Sequence, residues 1–386
     1  MLRPSHKKFW IAAVLVLGIG LRLAASTRGH NWDLESWAVT AGVVERGGNV
    51  YTGIVRNPYG PVWPQVVHGL WQIAEQIGDP FTVFRNLLCL FLTLADIALF
   101  ALLARTYGFG VGVLFFINPI SIIISGYHGQ FDNFAVLLGL LAIEIYGPEP
   151  PLRIGRRQIM GLLLLGVSLM TKHVFILFPL WLAAKHSSFR NKLATLGLPV
   201  FLFLIGFIPS WEGNGEGVIN HVLLYRTFAP NAPFWLRIAP QAIVNQIPIF
   251  VWFISTLAVL GFVFRKRNNR ESALIYTACI VLFSSAVSNA HLAITVPFVA
   301  VYMNPFLALF TASATLRLLI NDFALSIEPL RDITHPMLSS FNLQIACLLL
   351  GLLWVFHRER ITQWGQQFVA WFKDEAQFQL RGVTRR

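Results

Sequence analysis

The sequence predicts an all-α, polytopic membrane protein, and its composition and its apolar patterning carry that prediction. Of the 386 residues, 55% are apolar and only 12% are charged, about half the charged share of a typical soluble domain. The mean hydropathy is +0.61, and the apolar residues fall in many separate stretches, as in a chain that crosses a bilayer repeatedly. These features exclude an ordinary soluble enzyme, a disordered chain and a secreted disulfide scaffold.

The chain is strongly basic, with 30 lysines and arginines against 18 acidic residues and a net charge of +12. In a soluble protein this excess would indicate nucleic acid as the partner. In a membrane protein it is expected from the cations that collect in cytoplasmic loops, so we predict contact with membrane lipid and no nucleic-acid partner. The cysteines all lie in apolar stretches and are expected to be buried thiols: Cys89, Cys279 and Cys347.

The first predicted span, 9–25, follows the basic residues Arg3, Lys7 and Lys8, which places the N-terminus in the cytoplasm. It has no clear small-residue cleavage site, so we predict a retained helix rather than a signal peptide. The further predicted spans are 81–104, 109–125, 134–146, 159–171, 174–184, 193–210, 243–264, 272–287, 292–303, 305–320 and 341–357. We therefore expect a bundle of about 11–12 transmembrane helices.

Alternating the sides of the membrane from a cytoplasmic N-terminus places the basic clusters on the inner side each time. These clusters are Arg105; Arg153, Arg156 and Arg157; Lys185, Arg190 and Lys192; and Arg265, Lys266, Arg267 and Arg270. The outer side then receives the segments 26–80, 211–242 and 321–340 and the turns 126–133, 172–173 and 288–291. We predict a transmembrane domain over 1–358 and a cytoplasmic tail over 359–386.

The first outer segment, 26–80, predicts two short amphipathic helices that lie flat at the membrane surface. The first helix has apolar residues at helical spacing, namely Leu34, Trp37, Ala38, Ala41 and Val44. Gly47-Gly48 is expected to end it. The second helix has apolar residues at the same helical spacing, namely Trp63, Val67, Leu70, Trp71 and Ala74.

Asp33 and Glu35 are the two carboxylates at the start of the first of these helices. On one helix they point about 200° apart, so they cannot serve the same atom. Asp33 fits two interpretations, a helix N-cap or a carboxylate at the mouth of a membrane cavity that takes a proton from an acceptor hydroxyl. Glu35 is either a second catalytic carboxylate or a solvated surface residue.

The turn 126–133 is dense in polar side chains for a connector between two apolar helices. It carries Tyr127, His128, Gln130, Asp132 and Asn133, and Asn118-Pro119 breaks the span before it. One interpretation is a polar loop in which Asp132 or Asn133 caps the following helix. The other is a binding site.

Other charged residues on the predicted outer side or within spans are also candidates. Lys172 either extends to the headgroups or pairs with a lipid-borne phosphate. Arg226 and Arg237 flank a loop with Trp235 that is suited to holding a phosphate bidentately. His291 is a candidate donor or a structural histidine, and the mid-span Asp96 either serves the function or pairs with a neighbouring helix.

The sequence contains no Gly-rich phosphate loop that opens a helix and no paired Cys or His at metal spacing. We therefore expect no cofactor and no bound metal. Four residues nevertheless have side chains of the types that bind metals, and would do so if they converged: Asp33, Glu35, His128 and Asp132.

In motif order the chain resembles the GT-C superfamily of membrane glycosyltransferases, which use polyprenyl-phosphate sugars. Within it, the nearest likeness is to the dolichyl-phosphate-glucose glucosyltransferases of N-glycan assembly. The matching stretches are Asp33-Leu34-Glu35, Asn57-Pro58-Tyr59-Gly60-Pro61, Asn118-Pro119, His128-Gly129-Gln130-Phe131-Asp132, Lys172-His173, Tyr225-Arg226-Thr227-Phe228 and His291. They run in order over about residues 31 to 297, roughly two-thirds of the chain.

The likeness has departures that leave the sugar open. Asp132 stands where the family has Asn, and Leu292-Ala293 replace its Glu-Lys. The loop after Phe228 lacks the family's second Arg. The region from Gly48 to Trp63 is also similar to the GPI-anchor mannosyltransferases, so glucose and mannose both remain possible as the hexose.

The resemblance implies a GT-C-like bundle and an inverting transfer of a hexose from a polyprenyl-phosphate donor to a lipid-linked glycan or another outer-face acceptor. It implies that Asp33 is the general base, with Glu35 beside it. The donor-binding residues would be His128, Gln130, Asp132, Lys172, Arg226 and His291, and Tyr59 and Trp63 would be acceptor-side candidates. From the loop's own residues we add Arg237 to the donor-binding residues and Trp235 to the acceptor-side candidates. The active site would face the periplasm or cell exterior in a prokaryote and the ER lumen in a eukaryote.

The alternative from another class is a transporter or flippase for a lipid or lipid-linked sugar. Such proteins tend to show repeated halves and polar residues at the membrane midplane. Here no repeat is visible, and the polar residues cluster on the predicted outer side, which favours an enzyme.

Overall fold

A computed structural model describes most of the chain. The described residues are 4–54, 57–212, 215–223, 249–284, 287–325 and 340–357, with scattered positions between 326 and 339. The predicted tail, 359–386, and most of the predicted outer segment 211–242 lie outside them. The described part is helical throughout, and no strand occurs in it.

The first half of the chain forms eleven α-helices, of which three lie in the predicted outer segment 26–80 and the other eight overlap the predicted spans. They are α1 (Pro4–Thr27), α2 (Trp32–Glu45), α3 (Val50–Gly53), α4 (Val62–Glu75), α5 (Pro80–Tyr107), α6 (Phe109–Phe116), α7 (Pro119–Gly126), α8 (Asp132–Tyr146), α9 (Arg156–Thr171), α10 (Phe178–Ala183) and α11 (Phe189–Ile205). Short 3-10 turns at His173–Phe175 and Ile208–Ser210 follow α9 and α11.

The second half continues with shorter helices. They are α12 (Glu216–Val218), α13 (Ile249–Val263), α14 (Asn269–Phe283), α15 (His291–Ile294), α16 (Val296–Tyr302), α17 (Pro305–Asn321) and α18 (Asn342–His357). A π-helical turn, Ile219–Leu223, extends α12, and a 3-10 turn, Phe323–Leu325, follows α17.

Several of these helices have the length and composition of membrane spans. Among the described residues, three pass by themselves: Lys8–Thr27, Pro80–Tyr107 and Phe189–Ser210. Several other helices are apolar but shorter, and at 1.5 Å per residue a 15-residue helix is only about 22 Å long, less than the roughly 30 Å hydrocarbon core. The all-helical membrane protein is therefore confirmed in outline, and the number of spans stays a prediction.

The predicted break at Asn118-Pro119 is confirmed. Helices α6 and α7 meet there at an angle of 50° and together have the apolar length of one span. The side chain of Asn118 accepts a hydrogen bond from the backbone N–H of Ile120 at 3.0 Å. Pro119 is suited to start α7 because it has no backbone N–H that would need an acceptor. The bend directs the chain into the polar turn 126–133.

The two helices predicted in the first outer segment are present as α2 and α4, and they pack against each other. Helix α2 buries Leu34, Trp37 and Ala41 as its spacing predicts. The N-cap interpretation of Asp33 was wrong, because Asn31 precedes the first helical residue and Asp33 lies inside the first turn. The position of α2 and α4 at a membrane surface stays a prediction.

A buried arginine joins four helices of the bundle. Arg22 of α1 is 0% exposed, and its Nε lies 2.8 Å from Oδ2 of Asp96 on α5. Its other nitrogens donate to the carbonyls of Gly18 and Phe116 and to the hydroxyl of Ser121. Each donor therefore replaces part of the hydration that the guanidinium loses on burial.

Helix α8 joins the same network through Asn133. Its side-chain amide donates to Oδ1 of Asp96 at 2.8 Å and to Ser121 at 3.0 Å. Gly126 lets the backbones come close, because a Cβ there would lie 2.7 Å from the carbonyl oxygen of Arg22. Of the two interpretations of Asp96, pairing with a neighbouring helix is the one that the structure shows. The sequence did not indicate the partner, because Arg22 lies inside the first predicted apolar span, 9–25.

Removing the arginine should destabilise the protein strongly. We expect Arg22→Met to lower the free energy of unfolding by about 3–5 kcal/mol, because it leaves the Asp96 carboxylate buried without its cation. The double variant Arg22→Met/Asp96→Met should lose less than the single variant. Thermal unfolding of the purified protein in detergent measures both.

The control for this prediction is Arg105→Met, which removes an arginine from the exposed end of α5 and should change the midpoint little. Equal midpoints for Arg22→Met and the unmodified protein would contradict a structural role for the pair.

Candidate functional site

The polar turn 126–133 is buried along its whole length, which is unusual for a connector between helices. Buried polar groups are nearly always hydrogen-bonded, so the partners of this turn define what lies around it. Three of its side chains, those of His128, Asp132 and Asn133, bind residues of other segments. Asp132 and Asn133 do not cap α8, because the N-cap position belongs to Phe131 and no side chain caps it.

His128 links three segments of the chain. Its Nδ1 accepts from the side-chain amide of Asn31 at 2.7 Å, and its Nε2 lies 2.7 Å from Oδ2 of Asp322. Since Nδ1 is an acceptor, the ring proton sits on Nε2 and is donated to the carboxylate. The imidazole is 1% exposed and uses both nitrogens to hold the start of α2 and the end of α17 together.

Lys172 and Asp132 form a buried ion pair. The Nζ of Lys172 lies 2.8 Å from Oδ1 of Asp132, and the side chains are 7% and 0% exposed. The interpretation in which Lys172 extends to lipid headgroups was wrong, because its carboxylate partner holds it inside the bundle. The other carboxylate oxygen, Oδ2 of Asp132, has no hydrogen-bond partner among the described residues.

The Lys172 ammonium also lies against aromatic rings. It is 5.1 Å from the ring centre of Tyr59 and 5.0 Å from that of Phe131, within the range of a cation–π attraction. Phe131 stacks on Trp63 with ring centres 3.7 Å apart, and Trp37 meets both rings edge-on. We call Trp37, Tyr59, Trp63 and Phe131 the aromatic cluster.

Within the aromatic cluster the two acceptor-side candidates differ in exposure. Trp63 is 0% exposed, so its ring packs inside the protein. Tyr59 is half-buried and combines a polar hydroxyl with a ring next to the lysine. Of these two side chains, that of Tyr59 is the more accessible.

A glycine fixes Tyr59 against the end of α9. Gly60 packs directly on the backbone of Met170, and a Cβ at this position would overlap the Met170 carbonyl group. Tyr59 precedes this contact and Lys172 follows it by two residues, so the glycine sets the distance between the ring and the ammonium. Asn57 is also buried, and neither of its side-chain polar atoms has a partner among the described residues.

The carboxylates of α2 have different surroundings. Asp33 is half-buried and makes no hydrogen bond or ion pair with any residue that the structure describes. Glu35 is 54% exposed and lies 3.2 Å from Nε2 of His30. Asp33 stands two residues after Asn31, which binds His128, and one turn before Trp37, whose indole donates to the carbonyl of Gly129 at 3.1 Å.

Two further histidines lie near Lys172. Burial, and then the charges of Lys172 and His291, lower the pKa of His173 in the turn after α9 to about 4, so its imidazole is neutral at neutral pH. Nδ1 of His291 accepts from the backbone N–H of Ser288 at 3.0 Å. The neutral His291 ring therefore carries its proton on Nε2, as a donor.

One further predicted residue lies in the polar turn, and three others lie outside the residues that the structure describes. Gln130 is buried in the polar turn, and its Oε1 has no partner among the described residues. Arg226, Trp235 and Arg237 lie outside the described residues. The structure thus brings His128, Asp132 and Lys172 together, with Asp33 on the adjoining helix.

Two residues that sequence reasoning missed complete this constellation. Asn31 and Asp322 both bind His128. Asp322 was visible only as a carboxylate in the predicted outer segment 321–340, and Asn31 as a polar residue just before α2. Neither belongs to a motif that carries the GT-C resemblance, so nothing in the linear sequence paired either one with His128.

Comparison of the chain with protein-family models, curated proteins and solved structures finds no match. In the part of the chain that the structure describes, no three side chains of His, Cys, Asp or Glu cluster closely enough to hold a metal ion.

The Gly60 contact supplies a test of this geometry. Gly60→Ala should lower the free energy of unfolding by about 1–3 kcal/mol, because the added methyl forces the loop away from the Met170 backbone. Gly69→Ala, on α4, is the matched control, since a Cβ there meets nothing within 4 Å and alanine favours a helix. Thermal unfolding in detergent should separate the two variants, and equal midpoints would contradict the close approach.

Proposed function

We propose that the protein is an inverting membrane glycosyltransferase that moves a hexose, glucose or mannose, from a polyprenyl-phosphate sugar to a lipid-linked glycan or another outer-face acceptor. One observation carries the proposal. A buried ammonium, Lys172, and a carboxylate without a protein partner among the described residues, Asp33, belong to segments that meet at one turn. These are the two kinds of group that transfer from a phosphate donor requires.

Asp33 is the general base. The acceptor hydroxyl oxygen attacks the anomeric carbon of the sugar and gives its proton to the Asp33 carboxylate. The bond between that carbon and the phosphate oxygen breaks, and the electron pair leaves with polyprenyl phosphate. A carboxylate that is half-buried and bound to no described side chain is available for this role, and such a base contributes about 10²–10⁴-fold to a rate.

Lys172 binds the phosphate and offsets the charge that grows on it as the bond breaks. The ammonium has three donors, of which one meets Asp132, so a phosphate oxygen can be added without removing the carboxylate. Asp132 thereby positions the cation. Its Oδ2 and the Oε1 of Gln130, neither of which has a partner among the described residues, are acceptors for sugar hydroxyls. His291 supplies a further donor through Nε2.

His128 acts as a positioning residue in this proposal. Its two nitrogens hold Asn31 and Asp322, so it sets the place of α2, and with it the place of Asp33. Arg226 and Arg237, which flank one loop in the sequence, remain proposed phosphate ligands on the pattern of that loop, and Arg226 also on the resemblance. No cofactor and no metal are required by these steps, and the site faces the periplasm, the cell exterior or the ER lumen.

A transporter or flippase is the second candidate, and one observation favours it. The pair Arg22–Asp96 is an ionic group inside the bundle, and transporters place polar groups between their helices. The donors of Arg22 already have partners on four helices, however, which is the state of a structural pair rather than of a binding site.

The release of polyprenyl phosphate from short-chain polyprenyl-phosphate glucose and mannose tests the proposal and separates the two classes. The purified protein should release polyprenyl phosphate with an acceptor present, and Asp33→Asn should lower the rate about 10²–10⁴-fold because the base is lost. Glu35→Gln is the matched control on the same turn and should retain most of the rate. Equal rates for Asp33→Asn and the unmodified protein would exclude Asp33 as the base, and no release by the unmodified protein would favour transport.

Chelation tests the independence from metal. We expect a chelator of divalent cations to leave the rate of polyprenyl-phosphate release unchanged, because the proposed charge compensation comes from Lys172 and the proposed base from Asp33. Restoration of a lost rate by added Mg²⁺ or Mn²⁺ would instead assign a metal to this end of the bundle.

A further inference from the structure

A concave site lies between α9 and α11, away from the turn 126–133. It is an open groove of about 1080 Å³, at the upper end of the size of small-molecule sites. It is lined by Leu152, Arg153, Ile154, Ile159, Leu162, Ser188, Arg190, Asn191, Ala194, Gly197, Leu198 and Phe201.

The groove and the candidate functional site lie at opposite ends of α9. Its first turn borders the groove, and Lys172 follows its last residue. The helix has 16 residues, so the ends are about 24 Å apart at 1.5 Å per residue. A ligand of the groove is therefore separate from the groups proposed to carry transfer.

The lining has two chemically distinct parts. One wall is apolar, with Ile159 on α9 and Leu198 and Phe201 on α11. At the start of these helices the lining carries the two arginines Arg153 and Arg190 and no carboxylate. Both arginines are exposed and have no hydrogen bond or ion pair with any residue that the structure describes.

A hydrogen bond joins the two segments that carry the arginines at the mouth of the groove. The side-chain amide of Asn191, at the start of α11, donates to the carbonyl of Leu152 at 2.9 Å. This contact fixes the loop that carries Arg153 against the helix that carries Arg190. Along the wall, Gly197 leaves space, since a Cβ at this position meets nothing within 4 Å.

We propose that this groove binds an anionic phospholipid of the surrounding membrane, with its phosphate at Arg153 and Arg190 and an acyl chain along the apolar wall. Charge complementarity argues for this occupant, because two arginines without a partner among the described residues, beside an apolar surface, match a phosphate joined to a hydrocarbon chain. A zwitterionic lipid would compensate the arginines less, because its own cation offsets its phosphate, and a free phosphate would leave the apolar wall unused.

Native mass spectrometry of the full-length protein tests the proposal. Protein taken from bilayers of equal parts phosphatidylglycerol and phosphatidylcholine should retain phosphatidylglycerol preferentially. Added phosphatidylglycerol should raise the midpoint of thermal unfolding, whereas glycerol phosphate at the same concentration should not. Equal retention of the two lipids would overturn the proposal, and an equal effect of glycerol phosphate would assign the groove to a soluble anion.

Two variants locate the lipid in the groove. Arg153→Ala/Arg190→Ala should weaken retention of phosphatidylglycerol about thirtyfold, at the usual contribution of a basic residue near an anionic lipid. The control Arg105→Ala/Lys266→Ala removes the same charge from exposed positions outside the groove and should retain the lipid. Equal losses in both double variants would show a general effect of charge and overturn the site.

Filling the groove is the second test, and it leaves the charges in place. Gly197→Phe puts a ring into the open space beside α11 and should displace the lipid with little loss of stability. Gly20→Phe on α1 is the matched control, because a Cβ there also meets nothing within 4 Å. Full retention of phosphatidylglycerol by Gly197→Phe would overturn the proposed position of the acyl chain.

Discussion

The buried pair Arg22–Asp96 is the interaction on which the rest of the structure depends. Five helices, α1 and α5 to α8, supply its groups, and each would leave a polar atom unpaired in the bundle if it moved away. A buried ion pair adds little stability by itself, yet losing one partner is costly. The pair therefore fixes how these helices sit rather than simply tightening the bundle.

The polar turn inherits its position from this network. Asn133 belongs to the network, and its neighbour Asp132 holds Lys172, so adjacent residues connect the structural centre to the candidate site. At the site the charge of Lys172 is paired with that of Asp132, and two rings of the aromatic cluster, Tyr59 and Phe131, lie against the lysine. The buried network around Arg22 and Asp96 thus fixes the position of Asn133, and through the adjacent Asp132 it also fixes that of Lys172.

The helices and their ends were largely predictable, because apolar runs, Asn-Pro breaks and glycine ends are local signals. Helices α5, α8 and α17 begin and end within a few residues of the predicted spans. The pairings were not predictable from one sequence. His128 meets Asn31 and Asp322, which are 97 and 194 residues away, and local patterns carry no information about contacts over such distances. The identity of Asp96's partner was hidden for the same reason.

The separation of Arg22 and Asp96 along the chain has a consequence for biosynthesis. The ribosome makes the arginine 74 residues before its carboxylate, so α1 reaches the bilayer with a cation that has no partner. Insertion of an arginine costs about 2.5–3.5 kcal/mol when it lies at the centre of a helix, and less for Arg22, which lies near the end of α1. The apolar residues of α1 must outweigh that cost until α5 has been made, because only then can Arg22 meet the carboxylate of Asp96.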